Sequence, residues 1–531
     1  MHIRPTREIE KALETANEAY LSGLHRIPGK TIITGSLRIS IWRLSLPLLL
    51  IGVCAATVDL VHVQCAGYLS TKAQAIIGIC DQLMLMAVMA LASLSTAITA
   101  SISKLSPLSD DQKLSSSFAD ALKVSLLVGI VLAAIVFFAG PFALIPFSGC
   151  VESCDLTRVE GERYLRFAAL SLIPISIFGA INAFFLGTGR SAPQLITILT
   201  MALIDSIGSY LLMTNASTVK SLGISSIAIS TLSASVVALI AGAILLATSP
   251  KKVHLKSLLS AQLGSGWDML KRSIPATLQD NGWAASAFVL YIVLGMLPQP
   301  ADVVAALNTG QRIEALIQAP LAALASAVLV VVGQNLGAKR AKRAWRATMI
   351  ATLCGCALML LAGVLLFFFA EQMASFGNNS ESTRPFVAQY LRIAALGLSF
   401  VGLETILTGS LQACEDTKFP LLIGFICSWA ISIPFTYILA ITFHMESQGA
   451  WIALLIANLV AGLAMLARFT VRPEWKAHTD AKEGAAVTTD ESAHDDSSAK
   501  SSIVPSQRPC VEIAIPYASS EPPANPPEPQ N

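Results

Sequence analysis

Acidic side chains stand inside long apolar segments of this 531-residue chain, most clearly Asp59, Asp205, Asp280 and Glu404. A charged side chain at such a depth in a membrane costs about 3 kcal/mol. In apolar surroundings a carboxyl group can take up and release a proton near neutral pH, and its ionised form can bind a cation. These residues are therefore candidates for cation or proton binding and exchange.

His62 follows Asp59 by three residues in the stretch "CAATVDLVHV" (54–63). Side chains at this spacing share one face of a helix. His62 can then share a proton with Asp59, or simply pair with it near the membrane interface. The alternative is that Asp59 is a solvated carboxylate at a helix end.

The composition is that of a membrane protein. Hydrophobic residues make up 54% of the chain and charged residues only 13%, and the mean hydropathy is +0.64. Continuous apolar segments recur that are long enough to cross about 30 Å of hydrocarbon as helices. They do not alternate as the strands of a membrane barrel do. The net charge of +2 gives no reason to expect nucleic-acid binding.

The chain is therefore predicted to be an all-α integral membrane protein with twelve transmembrane helices in two pseudo-symmetric six-helix bundles. The predicted spans are residues 41–66, 73–100, 121–147, 164–188, 193–214, 222–248, 270–297, 303–333, 345–370, 386–412, 419–443 and 448–470.

An internal repeat relates the two halves. "RYLRFAALSL" (163–172) recurs as "QYLRIAALGL" (389–398), and the connection at 187–193 parallels that at 413–420. With six helices in each half, the repeats run parallel and are related by a pseudo-two-fold axis along the membrane normal. Halves related in this way typically enclose a central cavity that opens to alternate sides.

Five segments follow from these patterns. Helical spacing from Thr6 to Leu24 predicts a surface helix, and the N-terminal segment lacks the apolar region of a cleavable signal. The C-terminal tail is rich in Ser, Asp and Pro and cannot bury a core. The segments are a cytoplasmic N-terminal segment (1–37), an N-terminal lobe (38–248), a cytoplasmic linker (249–269), a C-terminal lobe (270–472) and a disordered cytoplasmic tail (473–531).

Lys and Arg concentrate in one alternate set of loops, with "KRAKRAWR" (339–346) as the densest cluster. Because cytoplasmic loops carry the excess of positive charge, both termini are predicted to be cytoplasmic. Cys150 and Cys154 then fall in an outer loop, where a disulfide can form. Two free thiols are the equal alternative.

Several motifs resemble the multidrug and toxic compound extrusion (MATE) family of the MOP flippase superfamily. "VVGQNLGAK" (331–339) resembles the family's signature at the end of its eighth helix. "GSLQACEDTKFP" (409–420) is similar to the connection between its tenth and eleventh helices, and "VDLVHVQCAGYLS" (58–70) to the end of its first. The resemblance covers about residues 38–472. In the N-terminal half, the degenerate "SISKLSP" (101–107) takes the place of the signature.

The resemblance implies a site for the coupling ion or proton in the N-terminal half. Asp59 matches the family's first-helix Asp with that role. On the fifth helix the family commonly has Asn and then Asp one turn later, whereas Asp205 and Ser209 stand at these positions here. The charge is kept but displaced by one turn, with Ser209 as a neutral oxygen ligand. Thr231 matches a hydroxyl near that site, and an ordinary helix-face Thr is the alternative.

A second cation or substrate site is predicted in the C-terminal half. In one bacterial branch of the family, Na⁺ is thought to bind a Glu and an Asp at the positions occupied here by Trp283 and Val401. Asp280 precedes Trp283 by three residues and Glu404 follows Val401 by three. Because the seventh and tenth helices run in opposite directions, both carboxylates are displaced toward the cytoplasm by about one turn.

Other polar residues receive plainer interpretations. Asp81 has the repeat counterpart Gln311, and a buried hydrogen bond to a neighbouring helix is expected for it. Arg312 and Glu314 are expected to reach the outer interface by extending their side chains.

The resemblance implies a secondary antiporter that exports organic cations, drugs or similar amphiphiles in exchange for H⁺ or Na⁺, with no other cofactor. The alternatives are a lipid-linked precursor flippase of the same superfamily and a non-transporting receptor or scaffold. The motifs GxxxxGK[ST], HExxH and GxSxG are absent, so an enzyme is not expected. The expected partners are a small cationic or amphiphilic substrate and the bilayer. The protein is expected to be a monomer in the bacterial inner membrane.

Overall fold

The computed structural model describes residues 29–69, 71–108, 110–143, 154–214, 223–249, 264–376 and 381–471. The predicted surface helix from Thr6 to Leu24, the predicted tail, Cys150 and the side chain of Cys154 lie outside the described residues.

Within the described residues, twelve long helices, α1 to α12, follow one another. The first six are α1 (Leu37–Leu69), α2 (Thr71–Leu105), α3 (Asp111–Ala143), α4 (Cys154–Gly187), α5 (Ser191–Thr214) and α6 (Ser225–Ala247). The second six are α7 (Gly264–Leu294), α8 (Pro300–Gly337), α9 (Ala341–Phe368), α10 (Arg384–Ala413), α11 (Lys418–Thr442) and α12 (Glu446–Val471).

Each predicted span coincides with one of these helices, but some predicted boundaries are wrong. α3 begins at Asp111 and α4 at Cys154. The prediction from the apolar segments placed these starts at residues 121 and 164. Their first turns are polar, so hydropathy alone does not register them as helix. Within the described ranges, 11 helices are long and apolar enough to cross a membrane, and α7 is the remaining long helix. α7 contains Asp268, Lys271, Arg272 and Asp280, which lower its hydropathy.

The two halves repeat one packing arrangement. α4 packs against α2, α3 and α6, and α10 packs against α8, α9 and α12, which are the helices six places further along the chain. The helices across the middle break this separation, because α1 packs against both α5 and α8, while α7 packs against α2 and α11. α1, α2, α7 and α8 therefore form the boundary between the halves. The lobe limits predicted from the sequence stay a prediction.

The same turn closes α4, α8 and α10. In each case the second residue after the helix has a positive φ: Gly189 (81°), Lys339 (56°) and Glu415 (67°). Its N–H and the next N–H turn back to carbonyls of the last helical turn, as in a Schellman motif. The repeated connections at 187–193 and 413–420 thus have the same backbone conformation. These turns lie at the end of the molecule that also holds the starts of α1 and α7, which we call the basic end.

α11 departs from regular α-helix. Its segments Ile426–Ser432 and Tyr437–Thr442 are π-helical, and the short α-turn Ile433–Thr436 separates them. Such wide turns are rare and are frequent at functional sites. Trp429 fixes the first segment to α7, because its indole N–H donates a 3.1 Å hydrogen bond to the carbonyl of Gly282.

In the part of the chain that the structure describes, two short helices were not predicted. Gly29–Thr34 precedes α1 and buries Ile32, while Ala370–Phe376 follows α9. The guanidinium groups of Arg340 and Arg343 donate hydrogen bonds to the carbonyls of Ile33 and Ile32, at 3.0 and 3.3 Å. Two cations of the basic run thus bind the carbonyl end of the short helix.

Large apolar side chains cover the outside of the helices. Phe138, Leu353 and Phe368 are each more than 70% exposed. In water such surfaces would be unfavourable, whereas in a bilayer they contact lipid. The exposed apolar residues agree with the membrane location predicted from composition.

Candidate functional site

Asp205 is the centre of a polar cluster in the first half, which we call the N-terminal cluster. Its side chain is 3% exposed, and the hydroxyl of Thr231 on α6 lies 3.1 Å from each of its carboxylate oxygens. The Ser209 hydroxyl, one turn further along α5, donates to Oδ1 at 3.4 Å. His62 on α1 places Nε2 3.4 Å from the same oxygen. Three helices therefore meet at one buried carboxylate.

A glycine allows α5 and α6 to approach closely beside Asp205. A Cβ on Gly208 would collide with the Ser230 hydroxyl. Ser230 uses this space to donate a 2.9 Å hydrogen bond to the backbone carbonyl of Asp205. The close approach also brings Thr231 within reach of the Asp205 carboxylate.

The structure brings together Asp205, Ser209 and Thr231, which the resemblance connected. Asp59 lies on α1, one helical turn before His62, and its side chain falls outside the described residues. His62 was expected to pair with Asp59, and its contact with Asp205 was not anticipated. Nothing in the local sequence indicates this contact, because it joins residues far apart in the chain.

Two tyrosine–carboxylate pairs occupy related places in the two halves. Tyr164 on α4 donates a 2.7 Å hydrogen bond to Asp81 on α2, and Tyr390 on α10 donates a 2.7 Å hydrogen bond to Glu314 on α8. Asp81 thus has the interhelical hydrogen bond expected for it. The expectation that Glu314 extends to the outer interface is wrong, because its carboxylate is bound to Tyr390. The sequence signal for these related pairs was the "YLR" repeated at 164–166 and 390–392, which contains both tyrosines.

Asp280 and Glu404 line one cavity of about 240 Å³ in the second half, which we call the C-terminal cavity. α7 supplies Asp280 and α10 supplies Glu404. The first π-helical segment of α11 adds Ser428 and Ser432, and α12 adds Asn458. Trp283 also lines the cavity and so does Gln311, the repeat counterpart of Asp81. Met89 from α2 reaches the same space, so the cavity touches the other half of the molecule.

The two carboxylates differ in their surroundings. Asp280 accepts a 3.1 Å hydrogen bond from the Ser93 hydroxyl on α2. Glu404 is partly buried, and no side chain in the described ranges donates a hydrogen bond to it or forms an ion pair with it. Within those ranges the cavity lining contains neither Lys nor Arg. An unbalanced carboxylate in a cavity without basic residues favours a cationic occupant.

The oxygen-rich N-terminal cluster suits a hard cation or a proton. Carboxylate and hydroxyl oxygens are the ligands that such cations prefer. Where the structure describes the side chains, no group of three or more His, Cys, Asp or Glu residues is placed to hold a metal ion. A Na⁺ ion here would depend on the hydroxyls of Thr231 and Ser209.

A model of the MatE family matches residues 47–211 and 282–438, which together exceed half of the chain. The chain belongs to the MATE family. The resemblance, the all-helical membrane fold and the transporter class are thereby confirmed. A MATE protein of this kind is a multi-pass membrane transporter and not an enzyme.

Comparison with individual known proteins gives the same family. The probable multidrug resistance protein NorM of Synechocystis sp. is 25% identical over 332 residues, covering 59% of this chain and 70% of that protein. An outward-facing structure of a multidrug resistance MATE family transporter aligns with a TM-score of 0.77 at 17% identity, covering 84% of this chain and 99% of that chain. A MOP superfamily transporter from Pyrococcus furiosus, described as having a binding pocket of reverse polarity, has a TM-score of 0.75, 17% identity and coverage of 84% and 98%.

Proposed function

We propose that this MATE transporter is an antiporter that exports organic cations or cationic amphiphiles in exchange for H⁺ or Na⁺. The observation that carries the proposal is the C-terminal cavity, where Asp280 and Glu404 face an interior whose described lining residues include no Lys or Arg. A substrate cation would be held there by charge, and aromatic and apolar neighbours such as Trp283 and Leu454 would contact its rings or chains. The name of the NorM relatives supports the substrate class.

The N-terminal cluster is the proposed site of the coupling ion. Asp205 and Thr231 would bind H⁺ or Na⁺ together with Ser209, and Asp59 would take part from α1. Binding there neutralises a buried charge that α1, α5 and α6 share, so it changes how these helices pack. The ion can shift the conformational equilibrium only by its different affinity for the two states.

The proposed orientation places the basic end in the cytoplasm, with both termini on that side. The bacterial inner membrane is the proposed location, and the monomer is the proposed unit. The support is the excess of Lys and Arg in the loops at the basic end.

A lipid-linked precursor flippase is the nearest alternative. It would need basic side chains in the cavity to bind a pyrophosphate-linked lipid, and the carboxylates of Asp280 and Glu404 disfavour such an anion. A non-transporting receptor or scaffold would have no use for two separate carboxylate sites inside the membrane-spanning helices. We therefore favour the cation exporter over both.

The decisive experiment measures ethidium transport by the purified protein in lipid vesicles, first under a pure H⁺ gradient and then under a pure Na⁺ gradient. We expect one gradient to drive transport, and the variant with Asp280→Asn and Glu404→Gln to abolish it. Glu371→Gln is the matched control. The Glu371 carboxylate forms a 2.7 Å ion pair with Arg392, and it belongs to neither proposed site. Normal transport by the double variant would contradict the proposal.

A further inference from the structure

α2 of the first half and α7 of the second half are joined by a row of polar contacts, which we call the α2–α7 seam. Ser93 donates to Asp280 at 3.1 Å, and Arg272 donates to the Ser101 hydroxyl at 3.5 Å. At the basic end, Glu415 binds Lys104 of α2 and Arg272 of α7, each at 2.9 Å. The seam thus runs from the C-terminal cavity to the basic end.

The contacts follow a regular antiparallel register. Eight residues separate Ser93 from Ser101 on α2, and eight separate Arg272 from Asp280 on α7 in the opposite direction. At a rise of 1.5 Å per residue, the two contacts are about 12 Å apart along both helices. Because both helices are stiff at this length, a change at one contact is transmitted to the other.

The seam is closed at the basic end. A gap of about 10 Å³ remains between Ala97, Ala276 and Thr417, which is about the smallest cavity that can hold a single water. Beside it, a Cβ on Gly337 of α8 would collide with the backbone of Lys104. A substrate cannot pass here unless the contacts of Glu415 separate.

The contact at Asp280 is suited to being broken and remade. The Ser93 hydroxyl also lies 3.0 Å from the carbonyl of Met89, one turn back on its own helix. When a cation or a proton occupies the Asp280 oxygen, Ser93 can turn to Met89 without losing a hydrogen-bond acceptor. The contact across the seam is then lost at little cost.

We propose that the α2–α7 seam links occupancy of Asp280 to opening of the basic end, with Ser93, Arg272 and Glu415 as positioning residues. Occupancy removes the Ser93 contact and leaves the ion pairs of Glu415 as the main polar contacts that hold the seam. By linkage, separation of the Glu415 pairs also frees Asp280 from Ser93. This inference rests on the proposed function in one respect, namely that Asp280 binds the exported cation.

A cysteine at position 97 reports whether the seam is open. Ala97 is buried in the seam, so the thiol of Ala97→Cys should react slowly with a maleimide when the seam is closed. The reaction is followed at residue 97 by peptide mass spectrometry, with protein in detergent, where both ends are accessible. Glu415→Gln should accelerate it about fivefold or more, a typical size for a coupling between two sites. The control Glu371→Gln should not, and equal rates in Glu415→Gln and this control would overturn the proposal.

Ethidium then tests the link between the two ends of the seam. In the Ala97→Cys protein, ethidium should accelerate the labelling of residue 97. With Ser93→Ala added, labelling should already be fast, and ethidium should add little. If Ser93→Ala keeps the full ethidium-dependent acceleration, the seam proposal is wrong even where Asp280→Asn weakens ethidium binding. If Asp280→Asn together with Glu404→Gln leaves ethidium binding unchanged, the proposed function fails instead.

Discussion

Asp205 is held where it is by groups that come from three helices and serve different purposes. Ser230 binds its backbone carbonyl, Thr231 and Ser209 contact its carboxylate, and His62 approaches one oxygen from α1. In a low-dielectric interior hydrogen bonds are stronger than in water, so these contacts hold the buried side chain firmly in place. A change in charge at this one side chain therefore alters polar contacts of α1, α5 and α6 together.

Thr231→Val should reveal the coupling ion through the gradient whose effect it changes. If Na⁺ is the ion, the variant loses an oxygen ligand, and half-maximal transport should need about tenfold more Na⁺, since hydrogen-bond or ligand losses at charged groups are worth about 1.5 kcal/mol or more. If H⁺ is the ion, the carboxylate loses a hydrogen-bond donor, so transport driven by an H⁺ gradient should change while Na⁺ has no effect.

Thr200→Val is the matched control for this measurement. Thr200 lies on α5, the helix that carries Asp205, and its hydroxyl donates only to the carbonyl of Ile196, so its loss should leave ion dependence unchanged. If Thr231→Val behaves like Thr200→Val, Thr231 has no part in ion binding.

At the scale of the helices, the repeated turn after α4, α8 and α10 shows how different residues meet one backbone requirement. Gly adopts a positive φ without steric cost, whereas a residue with a Cβ pays about 1 kcal/mol. Glu415 accepts that strain at a position where its carboxylate joins Lys104 and Arg272. Lys339 has the same conformation at an exposed position, with no ion pair recorded for it in the described ranges.

Lys339→Gly should stabilise the protein, and Gly189→Ala should destabilise it. The first variant removes the strain and should raise the free energy of unfolding by about 1 kcal/mol. The second introduces strain and also brings a Cβ within 2.6 Å of the Ile32 side chain, so its loss should be larger. Thermal unfolding in detergent measures both. Lys339→Ala is the control, because it loses the same charge but keeps a Cβ. If Lys339→Ala raised the free energy of unfolding as much as Lys339→Gly does, the explanation by strain would be refuted.

The helices could be predicted from the sequence because a membrane requires each span to be apolar and long enough to satisfy its own backbone. The polar first turns of α3 and α4 escaped prediction because hydropathy does not distinguish a polar helical turn from a loop. The π-helical segments of α11 escaped because their backbone depends on packing against α7, as the Trp429–Gly282 hydrogen bond illustrates. The Asp280–Ser93 contact escaped for a similar reason, since it joins residues from opposite halves.

For the molecule as a whole, the proposed function assigns two tasks to separate groups of helices. The N-terminal cluster is built from α1, α5 and α6, the C-terminal cavity mainly from α7, α10, α11 and α12, and the helices α1, α2, α7 and α8 connect the halves. In the proposed function, the cation and the coupling ion therefore bind at different carboxylates. They influence each other only through the conformational equilibrium that both ligands bias.

This separation predicts that binding and coupling fail independently. Asp205→Asn should bind ethidium within about twofold of the parent protein, because distant sites contribute nearly additively, yet no ion gradient should drive its transport. Asp280→Asn with Glu404→Gln should instead weaken ethidium binding about tenfold or more, because the cation loses both carboxylates that pair with its charge in a partly buried cavity. Fluorescence titration in detergent measures binding, and vesicle uptake measures coupling. If Asp205→Asn weakened ethidium binding as strongly as the cavity variant, the two carboxylate sites would have to act as one, and the cation and the ion would compete directly instead of through the helices between them.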